Sequence, residues 1–354
     1  IYKGSTGIAN NVRIIGNTID GGYYGVYFYG GTSSTIYGYN NVVDSNLITN
    51  QYYYATYFYY AHFNSVSYNT MLSRTSNTTT YWYGLRLYYS NFVAQANKIH
   101  QRATAITSPY LVYIYYASYN NAVGASVFAN NEVIGYSSTT YYGLYLGSSN
   151  LLDVYNNSIY LDATAGARSI YIASSTTSSY DIKNNIVVNT STSGYPIYFA
   201  GTTTPFTSDY NCFYGAGNVG YIGSAQSTIA DWQTATSQDA HSISINPPFV
   251  NIGNNLDLTD YSAFIAPKLS DVTVDINGIT RTILTMMGAY SEPLFEGYDL
   301  ELIDILSPKT INDVYCFDDY TDVRVVLKNA GTENYYFDTN NITLHLDVSG
   351  VYNY

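Results

Sequence analysis

A four-residue alternation of apolar and polar positions returns seven times in the first 200 residues of this chain. Gly25-Val26-Tyr27-Phe28, Ala55-Thr56-Tyr57-Phe58, Gly84-Leu85-Arg86-Leu87, Leu111-Val112-Tyr113-Ile114, Gly143-Leu144-Tyr145-Leu146, Ser169-Ile170-Tyr171-Ile172 and Pro196-Ile197-Tyr198-Phe199 set six tyrosines and one arginine in register. Their neighbours are mostly aliphatic or Phe. Successive side chains on a strand point to opposite faces, so the neighbours form a core face and the tyrosines an outward row.

A second pattern fixes the period. An apolar residue, two variable residues, Asn, one variable residue and another apolar residue recur with Asn at 17, 46, 69, 97, 131, 157, 185 and 211. The spacing varies from 23 to 34 residues, as expected of a solenoid whose loops differ in length and whose single coils cannot bury their own apolar face. Two short strands per repeat, no helical periodicity and an Asn at a bend predict an all-β, right-handed parallel β-helix of about eight coils. Asn tolerates left-handed backbone, and stacked amides bond from coil to coil. A structural role for these asparagines is favoured over a ligand role.

Over residues 8–215 the chain resembles the right-handed parallel β-helix repeat proteins of the pectin-lyase-like superfamily, through repeated steps such as Gly16-Asn17-Thr18-Ile19, Asn156-Asn157-Ser158-Ile159 and Asn184-Asn185-Ile186-Val187. The resemblance implies the fold and little about function, because that superfamily holds polysaccharide lyases and hydrolases, tailspikes, adhesins and non-catalytic surface proteins. Gln238-Asp239-Ala240-His241-Ser242, Asn246-Pro247-Pro248-Phe249-Val250, Leu256-Asp257-Leu258 and Asp275-Ile276-Asn277-Gly278 with Arg281 resemble the closing segment of secreted β-helix proteins common in Bacteroidota. Gly288-Ala289-Tyr290-Ser291-Glu292 departs from the Gly-Ala-Asp-Glu-Phe-like ending of that family. Beyond Pro293, alternating runs at 300–308, 322–332 and 342–350 resemble the opening strands of an immunoglobulin-like sandwich. The domains expected are therefore a β-helix over 1–230, a closing cap over 231–293 and an incomplete sandwich over 294–354, since a complete one needs about 100 residues. Residues 1–11 enter the first coil directly, which leads us to expect a longer polypeptide or a stacked assembly.

Charge narrows the function. Through residue 210 there are eight Lys or Arg and seven Asp or Glu, and from 211 onward five and eighteen. The coils thus lack the basic stripe that nucleic acid requires, and that class is set aside. No run of 18 or more apolar residues is present, so no membrane span is expected in this chain. Cys212 and Cys316 pair if their regions touch, or stand as separate thiols; His62, His100, His241 and His345 occupy unrelated positions. No metal-ligand spacing and no cofactor motif is present.

The catalytic candidates are Asp153 and Asp181, both four places before their motif Asn on consecutive coils, with Lys183 and Asp209, both two places before theirs. Neighbouring carboxylates suit glycoside cleavage, but a solvated ion-pair cluster is the favoured reading. The binding candidates are the tyrosine row and a second row two residues later: Tyr27, Tyr29, Tyr57, Tyr59, Arg86, Tyr88, Tyr113, Tyr115, Tyr145, Tyr171 and Tyr198. Further tyrosines crowd the edge at Tyr60, Tyr89 and Tyr116, and the second row gives way to Gly147, Ala173 and Ala200. The expectation is a non-enzymatic extracellular or cell-surface structural protein, an adhesin or fibre component, presenting a tyrosine ladder for self-assembly or contact with another surface protein. The alternative is a polysaccharide-binding or polysaccharide-cleaving β-helix protein.

Overall fold

In the computed structural model the chain divides into two compact units, residues 1–292 and 293–354. The structure describes residues 1–292 apart from 34–35, 77, 119–123, 138–140, 164, 174–177 and 202–205, and in the second unit residues 300–307, 310–311, 314–315, 323–329, 335–336 and 342. With 52% strand and 3% helix the protein is all-β, and the first unit is a parallel β-solenoid of about seven turns. The eight motif asparagines mark eight strands in each of two sheets.

Each turn has three strands rather than the two read from the sequence. The apolar residue three places before the motif Asn and the one two places after it lie on separate strands, as in Leu152–Tyr155 and Ser158–Ala163, joined through a corner at Asn156 and Asn157. The corner forms because the residue before the motif Asn is left-handed in every coil: Gly16, Ser45, Tyr68, Ala96, Asn130, Asn156, Asn184 and Tyr210 all have φ between 51° and 68°. The motif Asn keeps negative φ, so the expected left-handed role belongs to its predecessor.

What the motif Asn does is stack. From Asn17 to Asn211 each side-chain Nδ2 donates to Oδ1 of the Asn in the next coil at 2.9–3.0 Å. The same Oδ1 also accepts the backbone N–H of the preceding Asn at 2.9–3.0 Å. The ladder is buried from Asn46 onward, and buried amides satisfied in a continuous chain both tie the coils together and fix their register.

The three sheets enclose one core. Val43, Val66, Phe128, Val154 and Ile182 come from the second sheet, Ile48, Met71, Ile99, Val133, Ile159, Val187 and Phe213 from the third, and all are at most 1% exposed. The first sheet contributes Phe28, Phe58, Leu87, Ile114, Leu146, Ile172 and Phe199 in register. Of the apolar residues chosen from the Asn repeat, all are buried except Ile19 of the first coil, which is half-buried against the same core.

The helix α1 (Ile229–Thr236) closes the last coil. Thr228 and Asp231 form a capping box at its start, which satisfies N–H groups with no partner inside the helix. Trp232 is fully buried against Phe213 and Gly220, where a Cβ would stand 2.4 Å from the indole. Asp239 then ends the amide ladder. It accepts from Trp232 Nε1 at 2.7 Å, Ser208 Oγ at 2.8 Å, Ser242 Oγ at 2.6 Å and Asn211 Nδ2 at 3.2 Å.

Beyond residue 249 the closing segment does not stay at the end. It runs back along the corner between the second and third sheets, where Asn130 Nδ2 donates to Val274 O, Asn156 Nδ2 to Met286 O and Asn184 Nδ2 to Pro267 O, at 2.7–3.0 Å. These are the three coils in which the left-handed corner residue before the motif Asn is itself Asn. The coils with Gly16, Ser45, Tyr68 and Ala96 at that position offer no amide there.

In the second unit, Leu300–Ser307 pairs antiparallel with Arg324–Asn329, so two of the three strands expected there form a pair. The third, at 342–350, lies outside the described residues except for Ile342, as does Cys316. Cys212 is a buried free thiol whose Sγ contacts Ile245 O at 3.3 Å.

Candidate functional site

The outer face of the first sheet is a field of tyrosines in columns. The central column runs Tyr2, Tyr27, Tyr57, Arg86, Tyr113, Tyr145, Tyr171, Tyr198 and Tyr221, one coil longer at each end than the repeat alone indicates. Its rings stack at centroid spacings of 4.7 Å for Tyr2–Tyr27, 4.9 Å for Tyr27–Tyr57 and Tyr113–Tyr145, and 4.4 Å for Tyr198–Tyr221. That is the strand spacing of a sheet, which sets ring on ring. Tyr29, Tyr59, Tyr88 and Tyr115 stack as a second column at 4.6–5.4 Å.

A third column was not read from the sequence. Tyr24, Tyr54, Tyr83, Tyr110 and Tyr142 stack at 4.8–5.1 Å and lead to Arg168 and Tyr195. Strict alternation from Tyr27 would turn Tyr24 inward. Instead each strand carries two consecutive inward residues, such as Gly25 and Val26 or Gly84 and Leu85, and the residue before them faces out again. The legible signal was the small or bend-tolerant residue at that place in Gly25, Ala55, Gly84, Gly143 and Ser169.

A fourth column follows the strands. Tyr60, Tyr89 and Tyr116 sit in left-handed backbone just past the strand ends, and Tyr89 stacks on Tyr116 at 4.3 Å.

Arg86 fills the gap in the central column. Its guanidinium carbon lies 4.1 Å from the Tyr57 ring centroid, 5.1 Å from Tyr88 and 5.4 Å from Tyr113. Arg168 sits likewise 4.4 Å from the Tyr198 ring. Among the described residues neither has a carboxylate within 4.0 Å, so ring faces provide the nearest compensation for both charges. The outward positions of these strands hold tyrosine, two arginines, small residues and no carboxylate.

The chemistry of the face follows from ring orientation. Because ring faces are spent on each other, the surface presents ring edges and hydroxyls. Burial, and then neighbouring phenols, push the hydroxyls of Tyr29, Tyr59 and Tyr145 above the ordinary phenol range, so they stay neutral donors at any physiological pH. A sugar stacking on an aromatic face finds an open one at the margin, where Tyr2 is 73% exposed.

The carboxylate candidates lie on the second sheet. Asp153 pairs with Asp181, and Lys183 with Asp209, across adjacent strands as their spacing indicates. Asp181 accepts from Tyr155 Oη at 2.5 Å, Thr207 Oγ1 at 2.5 Å and Lys183 Nζ at 2.8 Å. Burial alone would raise its pKa, but these three bonds outweigh burial and hold it below the usual carboxylate range. Asp153 is pushed up to about 6, by burial and then by the Asp181 charge. The pair lines a shallow cleft of about 250 Å³ with Leu151, Tyr180, Phe206 and Thr207.

Asp209 belongs to a different group. Its Oδ2 meets His241 Nδ1 at 2.8 Å, and Tyr210 stacks on the imidazole at 4.6 Å. His241 arrives from the closing segment, so no repeat spacing could place it beside Asp209. Among the described residues no group of three or more His, Cys, Asp or Glu converges to hold a metal ion, and no helix is long and apolar enough to cross a membrane.

Compared with protein-family models, characterised proteins and solved structures, the chain matches none.

Proposed function

We propose that this chain is a non-enzymatic structural protein of the extracellular space or outer cell surface, and that its tyrosine sheet packs against the same sheet of a second copy. The observation that carries this is the ring stacking. Rings fixed face to face have already lost their rotamer freedom, and they offer edges and neutral hydroxyls, the rigid amphipathic surface that protein interfaces favour. From Tyr24–Tyr29 to Tyr195–Phe199 the sheet covers roughly 30 by 20 Å, from the usual strand spacing and rise. That is about 600 Å² on one partner, close to the ~800 Å² of a standard interface. The absence of carboxylates from the outward positions means that two such faces bring no repelling anions together, and their four guanidiniums lie against ring faces.

The test is sedimentation equilibrium of the wild type and of a Tyr57→Ser/Tyr88→Ser/Tyr113→Ser variant. The wild type associates with rising concentration and the variant does not, while circular dichroism reports an intact solenoid. A wild type that stays monomeric at every concentration overturns the reading.

The second reading is a polysaccharide-binding or polysaccharide-cleaving protein of the pectin-lyase-like kind, and one observation favours it. Asp153 and Asp181 have pKa values displaced in opposite directions within one cleft, the arrangement that assigns an acid and a base. Asp153→Asn and Asp181→Asn, assayed for release of reducing ends from plant and bacterial polysaccharides, decide it. The resemblance of the second unit to an immunoglobulin-like sandwich fits either reading.

A further inference from the structure

Two arginines on successive coils converge on a single residue at the corner between the third and first sheets. Arg74 Nε donates to Asn50 O at 2.6 Å. Arg102 Nη2 donates to Asn50 Oδ1 at 2.9 Å and to Thr49 Oγ1 at 3.1 Å, and its Nε to Ser73 O at 2.8 Å. Asn50 is held in left-handed backbone with φ 65°, which presents its carbonyl and amide oxygens to the two side chains.

These bonds use one of the five N–H donors of Arg74 and three of those of Arg102. Among the described residues the remaining donors meet no protein acceptor, and neither guanidinium has a carboxylate within 4.0 Å. One carboxylate joins the cluster indirectly: Asp20 Oδ1 accepts from Asn50 Nδ2 at 2.7 Å and offsets one of the two charges. Among the described residues no carboxylate offsets the other charge. Arg74 also lies 5.2 Å from the Tyr52 ring centroid, and Tyr52 is 40% exposed, so an aromatic wall stands beside the unspent donors.

An arrangement serving only to brace the corner would need one hydrogen bond from each side chain, and a Lys or Gln could supply it. Arg74, anchored through Nε alone, keeps the end-on pair of its Nη1 and Nη2 N–H groups free to take an oxyanion through parallel bonds, and Arg102, anchored through Nε and both N–H groups of Nη2, adds the two N–H groups of its Nη1. We propose that Arg74 and Arg102 form a binding site for an oxyanion, a carboxylate, sulfate or phosphate group, with Tyr52 packing against whatever carries it. The site is separate from the tyrosine columns and does not rest on their role in assembly.

The test uses the intact chain and inorganic ions. The Nε–Hε resonances of Arg74 and Arg102 are followed by NMR as sulfate, phosphate or acetate is added against sodium chloride of equal ionic strength. Both resonances shift along one saturating curve, while Arg86 and Arg168 do not. Tighter saturation by sulfate and phosphate identifies a tetrahedral ligand, and tighter saturation by acetate a carboxylate. Arg102→Lys keeps the charge but loses the fork, and the curve at Arg74 weakens at least tenfold. Shifts that rise linearly, or that follow chloride equally well, overturn the proposal, as does an Arg102→Lys variant with unchanged binding. If Arg102→Lys does not fold, the wild-type curves decide alone.

Discussion

Arg281 Nη2 donates to Asn130 Oδ1 at 2.8 Å across 151 residues of sequence, from a guanidinium only 1% exposed. The same guanidinium bonds Met286 O at 2.9 Å and Gly288 O at 2.8 Å, so it holds the returning closing segment in shape while fastening it to the solenoid corner. Burial lowers its pKa to about 10, which still leaves it charged at neutral pH. Replacing Asn130 by Ala removes one acceptor of this buried guanidinium, strands the Val274 carbonyl and puts a side chain that makes no bond in left-handed backbone. We expect a loss of about 2–4 kcal/mol, measured by urea unfolding. Hydrogen exchange at residues 265–290 should accelerate in the same variant.

The amide ladder gives a position-dependent prediction. Asn131→Ala removes the acceptor of two Asn97 donors and leaves Ala94 O without its Nδ2 partner, all in the buried interior. This should cost about 3 kcal/mol or more. Asn17 is exposed, and Asn17→Ala should cost less than about 1 kcal/mol. Equal losses at both positions would mean that the ladder contributes through local turn preference rather than through its bonds.

Two carboxylates should respond to acid in opposite directions. The folded pKa of Asp153, about 6, lies above its unfolded value, so the folded state binds the extra proton and this group's contribution to stability falls as pH rises from about 4 to 6. Asp153→Asn should therefore be more stable than the wild type at pH 7 and no more stable below pH 4. Glu132 is buried, which by itself raises its pKa, but bonds from His100, Leu256 N and Tyr290 Oη hold it below the ordinary carboxylate range. Its contribution is present above the unfolded value and is lost as pH falls through the folded one. Glu132→Gln should be less stable than the wild type at pH 7, with the difference shrinking in acid. Thermal melts of the three proteins from pH 3 to 8 check both signs.

Arg86 is flanked by rings on both sides, and Arg86→Tyr would complete the central stack. We expect that variant to stay within about 1 kcal/mol of the wild type, and Arg86→Ala to lose about 1–2 kcal/mol with its cation–π contacts. Thermal unfolding separates the two.

The repeat made the core, the central tyrosine columns and the Asp153–Asp181 pairing legible, because each follows from strand alternation and coil register alone. Three features were not. The outward column from Tyr24 to Tyr142 depends on two consecutive inward residues, which period-two reading does not allow. The apparent taper at Gly147 is filled by its neighbour: a Cβ at Gly147 would stand 2.5 Å from the Tyr115 ring, so that tyrosine leans into the vacant place. The lateral course of the closing segment was written in the doublets Asn130-Asn131, Asn156-Asn157 and Asn184-Asn185, whose first members bind it. Their meaning emerges only once the corner residue is known to be left-handed and its side chain to point outward.

The claim that the tyrosine sheet is a contact surface between copies is tested most directly by hydroxyl-radical footprinting at low and high protein concentration. The account predicts that Tyr27, Tyr57, Tyr88 and Tyr113 become protected as concentration rises, while Tyr68, exposed at the corner away from that sheet, keeps its dilute reactivity. Unchanged reactivity of the four sheet tyrosines across the range would contradict it.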